Sequence, residues 1–136
     1  MIVIDASSLA KYIIKEKGWL DVERYLLEEE VHTLDLALKE VVNVIWKQAI
    51  LLHNISLEEA EEKYIALMKL VEGEVIALDD EMKYLKEAFE TALDMKITIY
   101  DALYVVKAKA DRAQLLTSDK RQHEVAQKLG IKAILV

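Results

Sequence analysis

The chain has 136 residues, 54% hydrophobic and 32% charged, with no cysteine and a formal charge of −7. That length suits one compact domain spanning 1–136, and that mixture can bury a core. Disulfides, thiolate nucleophiles and cysteine-held zinc are excluded, and the acidic balance argues against a non-specific electrostatic hold on nucleic acid.

The opening, Met1-Ile2-Val3-Ile4-Asp5, has no basic region leading an apolar stretch, so no signal peptide is expected. No apolar run approaches the roughly 20 residues that cross a bilayer. The expectation is a soluble, cytoplasmic protein without membrane contact.

In chain order, Ile2-Val3-Ile4 reads as a buried strand, and Asp5 follows it at once. Helical patterns at roughly 8–15 and 19–29 lead to a second strand, Val31-His32-Thr33-Leu34. The next helix, roughly 36–53, carries Glu40 and Asn43. Leu38, Val41, Val42, Ile45, Ala49 and Leu52 form one apolar stripe on it, with Trp46 and Ile50 on another side. A helix apolar nearly all round is either fully buried or partly in an interface, and the pattern alone leaves both open.

Ser56-Leu57-Glu58-Glu59 is a capping box that opens a helix at roughly 57–71. Val75-Ile76-Ala77-Leu78 gives a third strand, followed by helices at roughly 80–95 and 99–112. Gln114-Leu115-Leu116-Thr117 gives the fourth strand, a helix at roughly 120–129 follows, and Ala133-Ile134-Leu135-Val136 closes the chain as a fifth. Gly18, Gly73 and Gly130 all fall where helices end or turn, which suits C-terminal caps and leaves none for a phosphate-cradling glycine loop.

Continuous apolar strands alternating with helices predict an α/β domain, a mostly parallel sheet of about five strands covered on both faces. Ligands in such sheets bind beyond the carboxyl ends of the strands, near a topological switch point. Asp5 and Asp119 lie just past strands, and Asp101 lies in the first turn of a helix. Each has a plain structural role available: Asp5, Ser7 or Ser8 can cap the first helix, Asp119 the last, and Thr98 and Asp101 have capping-box spacing. Asp101 also shares a helix face with Tyr104, Val105 and Ala108, and an acid there is costly unless paired or metal-bound.

Two other α/β classes fail on residues. A phospho-accepting receiver wants paired acids after strand one, and an aspartyl-nucleophile phosphatase wants Asp-x-Asp, where this chain has Asp5-Ala6-Ser7.

Four segments in order carry a resemblance: Val3-Ile4-Asp5-Ala6-Ser7, Glu40-Val41-Val42-Asn43, Tyr100-Asp101-Ala102-Leu103-Tyr104 and Leu116-Thr117-Ser118-Asp119. Together they resemble PIN-domain ribonucleases, and more narrowly the VapC-type toxins of toxin–antitoxin pairs. The resemblance implies a three-layer α/β/α PIN-like fold and a metal-dependent endoribonuclease. It maps catalytic, metal-binding acids onto Asp5, Glu40, Asp101 and Asp119, with Ser7, Thr117 and Asn43 as helpers that orient the site or its water. Hard oxygen ligands select Mg²⁺ or Mn²⁺, and such cations would offset four converging carboxylates. The implied partners are an RNA substrate, a cognate antitoxin and a second copy in a homodimer. A non-toxin RNA-processing nuclease, or a PIN fold kept for binding without cleavage, are the alternatives. The resemblance also puts the third strand at the sheet edge, so helix capping is the expected role of Asp79 and Asp80. His32, His53 and His123 show no paired ligand spacing.

Overall fold

The computed structural model describes residues 1–136. Five strands, β1 (Ile2–Ile4), β2 (Val31–Leu34), β3 (Ile76–Asp79), β4 (Gln114–Thr117) and β5 (Ala133–Leu135), form one parallel sheet in the order β3-β2-β1-β4-β5. The three residues of β1 are almost wholly buried because the strand has a neighbour on each side and helices on both faces. The edge strands β3 and β5 are only partly covered.

Seven α-helices make the crossovers: α1 (Ala6–Ile14), α2 (Trp19–Glu28), α3 (Leu36–Ile50), α4 (Leu57–Glu72), α5 (Leu85–Met95), α6 (Ile99–Ala110) and α7 (Lys120–Lys128). The chain steps from β1 to β2 to β3 in one direction, then crosses to β4 and β5 in the other. Right-handed crossovers then put α1–α4 on one face, packed on one another, and α5–α7 on the other. The reversal between β1 and β4 is the switch point.

Three local readings change. The segment expected as one helix at roughly 80–95 begins as a 3₁₀ turn, Glu81–Tyr84, capped by Asp80. Gly18 does not end α1; Lys15 does, in the left-handed conformation, and Gly18 at φ 94 starts α2 instead. Asp79 is not a cap, whereas Asp80 is. Asp79 ends β3 and accepts from the ammonium of Lys107, a lysine on α6 with no exposed side-chain surface.

Lys107 also donates to Asp111 Oδ2 at 2.7 Å, and His32 Nδ1 lies 3.1 Å from Asp79 Oδ2. This cluster ties the edge strand to the central helix of the far face. Burial acts to lower the Lys107 ammonium, but Asp111 and Asp79 outweigh it and the net shift is upward. Burial acts to raise Asp79, but Lys107 and His32 outweigh it and the net shift is downward. Asp79 therefore contributes stability above its unfolded value of 3.8, and loses that contribution as pH falls through its lower folded value. For His32, burial acts downward and the Glu30 and Asp79 carboxylates prevail upward, so its contribution is complete below 6.5 and lost as pH rises through the folded value. Asp79→Asn is expected to lower the melting temperature near neutral pH, with the gap to wild type closing below about pH 4. A gap that stays constant as the solution is acidified would show that the charge of Asp79 is not what counts.

Candidate metal-dependent active site

The carboxyl ends of β1 and β4 lie side by side, with Ile4 in register with Leu116 and the Asp5 N–H donating to the Leu116 carbonyl at 3.1 Å. Each strand turns straight into a helix, and at each turn an aspartate is the N-cap. Asp5 accepts from the Ser8 N–H at 3.1 Å, and Asp119 from the Arg121 N–H at 2.8 Å and the Gln122 N–H at 3.3 Å. The capping roles available in the sequence are thus real, and they aim both acids at the same space. The start of α6 contributes the third acid, where Thr98 caps the helix by accepting from the Asp101 N–H. Glu40 reaches in from α3.

These four acids line one cleft of about 330 Å³, together with Ser7, Asn43 and Tyr104. Asp5 is buried, Glu40 and Asp101 are half-buried, and Asp119 is exposed at the mouth, as is Asn43. Ser7 is the hub of the floor. Its hydroxyl donates to Asp5 Oδ1 at 2.6 Å, sits 3.3 Å from Thr117 Oγ1, and accepts from the Ser118 N–H at 2.9 Å. Thr117, fully buried, accepts from the Asp119 N–H at 3.1 Å. Ser7 and Thr117 therefore tie the β1 turn to the β4 turn. Asn43 makes no such bond and stands at the rim.

Two further residues hold the acids. Tyr104, on α6 one turn after Asp101, donates its hydroxyl to Glu40 Oε1 at 2.7 Å, so α6 fixes the acid of α3 across the cleft. Burial and the Glu40 charge push the Tyr104 phenol far above its ordinary value, which keeps it a donor. Gln122, buried on α7, donates Nε2 to the Asp101 carbonyl at 2.9 Å and leaves its own Oε1 without a partner. That bond links α7, headed by Asp119, to the first turn of α6. Tyr104 was visible in the sequence on an apolar face and within a resemblance segment, with no role attached, and nothing in the sequence singled out Gln122.

The electrostatics follow from crowding. Burial raises the Asp5 carboxyl, Ser7, Thr117 and the Ser8 N–H oppose it, and the Asp119 charge adds to it; the net shift is upward. Burial raises Glu40 against the Tyr104 bond, with Asp101 and Asp5 adding to the rise. Burial and the Asp119 charge raise Asp101 against Thr98 and Arg121. Three acids are thus pushed up, and each feels the charge of at least one other member of the set.

This donor set fits a hard divalent cation. Every candidate ligand is a carboxylate oxygen, and a cation among them would reverse the mutual repulsion. No three acidic or histidine side chains are drawn together tightly enough to enclose an ion by themselves.

A model of the PIN domain family matches residues 2–128. Ribonuclease VapC3 of Pyrobaculum aerophilum is 35% identical over 125 residues, which cover 90% of this chain and 92% of that protein. Among solved structures, the chain is similar to Mycobacterium tuberculosis VapC20, described as a sarcin–ricin loop cleaving toxin. The TM-score is 0.72 at 12% identity, with both chains covered in full. It is also similar to a chain of a toxin–antitoxin complex from Klebsiella pneumoniae, with a TM-score of 0.63 at 13% identity and 90% of each chain covered. With its parallel sheet, its acid-lined switch point and this match over nearly its whole length, the chain belongs to the PIN domain family.

Proposed function

We propose that the protein is a Mg²⁺- or Mn²⁺-dependent endoribonuclease that hydrolyses RNA phosphodiester bonds and serves as the toxin of a type II toxin–antitoxin pair. The observation that carries this reading is the convergence of Asp5, Glu40, Asp101 and Asp119 on one cleft at the switch point. The kinship with a protein named a ribonuclease supports it, as does the fold shared with a named toxin.

In this reading Asp5 and Asp101 are direct metal ligands, and Asp119 and Glu40 complete the site or hold its waters. The bound cation supplies activation of water and charge stabilisation at the scissile phosphate. The chain's own groups supply position. Ser7 and the Ser8 N–H hold the Asp5 carboxylate, Thr117 holds the turn that carries Asp119, and Tyr104 holds Glu40. Asn43, exposed at the rim, is placed to meet substrate or water.

Two exposed apolar surfaces support the partners. A groove of about 560 Å³ runs between α3 and α4, lined by Trp46, Ile50, Tyr64 and Ile65 among others, and it suits an apolar antitoxin segment. The likeness to a chain of a toxin–antitoxin complex supports that assignment. A second stripe of Leu85, Phe89 and Leu93 runs at i, i+4 spacing along α5, with Met82 and Ile99 beside it, and suits a second copy of the chain.

RNA cleavage assayed with Mg²⁺, Mn²⁺ or chelator is expected to require the metal, and Asp5→Asn or Asp101→Asn should each cost roughly 100-fold or more. If both variants cut like wild type, the site is misplaced. Tyr104→Phe should slow cleavage roughly 10-fold while costing only about 1 kcal/mol of stability, the worth of one hydrogen bond. Unaltered cleavage by that variant would remove Glu40 positioning from the mechanism. In sedimentation, wild type is expected to run as a dimer and Phe89→Glu as a monomer; a wild-type monomer at high concentration would rule out the α5 face as a homodimer contact.

A further inference from the structure

A polyanion entering the cleft meets walls that hold four acids and no lysine or arginine. On α3, Lys39 is drawn toward Glu81 at 4.0 Å. Among the charges that bear most on Asp5, Glu40 and Asp101, one is basic: Arg121, which acts on Asp101.

Arg121 is held at both ends. Its main-chain N–H donates to Asp119 Oδ1 at 2.8 Å, and its guanidinium Nη2 donates to the Lys96 carbonyl at 3.1 Å. Lys96 is the left-handed cap that ends α5, at φ 56. The side chain therefore spans from the first turn of α7 to the end of α5, with Asp101 inside its electrostatic reach. A guanidinium has five N–H donors, and this one makes a single bond within the protein. Arg121, Lys120 and Lys96 are all exposed, and none of them forms an ion pair. In a chain of net charge −7, the unpaired Lys120 and Arg121 stand at the start of the helix that Asp119 caps, and Lys96 ends α5 beside the Arg121 guanidinium.

We infer that Arg121 is the residue that takes a backbone phosphate of the RNA strand beside the bond being cut, with Lys96 and Lys120 adding to the same local charge. This rests on the ribonuclease reading above. A planar guanidinium matches a phosphate through paired N–H donors, and the bond to the Lys96 carbonyl restrains it before the ligand arrives. The contact is to phosphate, so it carries grip and register along the strand but no base preference.

The test is fluorescence anisotropy with a short, labelled, mixed-sequence single-stranded RNA over a salt series with Mn²⁺, in an Asp5→Asn background so that the RNA stays whole. Adding Arg121→Ala should weaken binding roughly 10-fold and reduce the log–log salt slope by about 0.7, the signature of one phosphate contact on a single strand. Mn²⁺ affinity, measured with Asp5 in place, and melting temperature should stay at their parent values. Arg121→Lys should restore most of the salt slope, because it keeps the charge. The inference is overturned if Arg121→Ala leaves RNA affinity and slope unchanged. It is equally overturned if the loss of binding follows a fall in melting temperature that Arg121→Lys does not repair, since the residue then only ties α7 to α5. A wild-type protein that neither binds nor cuts RNA would fail the ribonuclease reading first, and this inference with it.

Discussion

Four carboxylates brought to one cleft repel one another, and the fold around the switch point is organised to hold them there regardless. The means is a set of neutral donors. Ser7 and the Ser8 N–H hold Asp5, main-chain N–H groups of α7 hold Asp119, Thr98 caps the helix start that bears Asp101, and Tyr104 holds Glu40. Neutral donors orient a carboxylate without cancelling its charge, so Asp5, Glu40 and Asp101 all stay shifted upward. Three of these acids also open or lie in the first turn of a helix, where the N–H ends of α1, α6 and α7 offset part of the charge. The remainder is unanswered within the chain.

The Lys107 cluster makes the contrast. It too places several charges together beneath the surface, yet its cation is satisfied by Asp79 and Asp111, and the shifts run opposite ways: the acid Asp79 down, the base Lys107 up. Each of those groups is stabilised in its charged form. Such a cluster asks for no ligand and fastens β3 to α6. Asp5, Glu40 and Asp101 in the cleft are shifted the same way, each raised by burial and by a neighbouring acid. The opposed shifts follow from cation and carboxylates answering one another, and the parallel shifts from acids crowded together without such a partner. By that difference the two groups of acids near the carboxyl end of the sheet separate cleanly, although both contain an aspartate at a strand end.

The strand pattern was legible because each strand is a short apolar run between helical periods, and β1, buried on both faces, is the clearest of them. The acids after β1 and β4 were legible for the same reason, since the switch-point rule ties position in the chain to position in space. Asp79 looked alike by that rule and behaves differently. What separates it is its edge strand and the buried Lys107, a partner 28 residues along the chain that no local pattern announces. The roles of Gln122 and Tyr104 were hidden similarly: one reads as a polar residue in a polar helix, the other as a member of an apolar face, and only their partners on other elements give them roles. Gly18 was placed at the wrong end of its turn because the left-handed position that ends α1 is filled by Lys15, a residue type that gives no such signal.

Helix α3 links the site to the apolar surface. One of its sides carries Glu40, Asn43 and Val44 to the cleft, and another carries Val42, Trp46 and Ile50 to the groove shared with α4. Val42 and Asn43 are adjacent in the chain, and both border a shallow depression together with Lys39 and Trp46. The helix that holds Glu40 to Tyr104 is therefore the same rigid body on which an apolar partner would press. A helix transmits displacement along and about its axis, because its packed side chains have few alternative arrangements. Substitutions in the groove and in the cleft should consequently couple when combined, by more than the few tenths of a kcal/mol typical of independent sites. Burying Trp46 and Ile50 and holding Glu40 in register are, on this geometry, two demands made of one element.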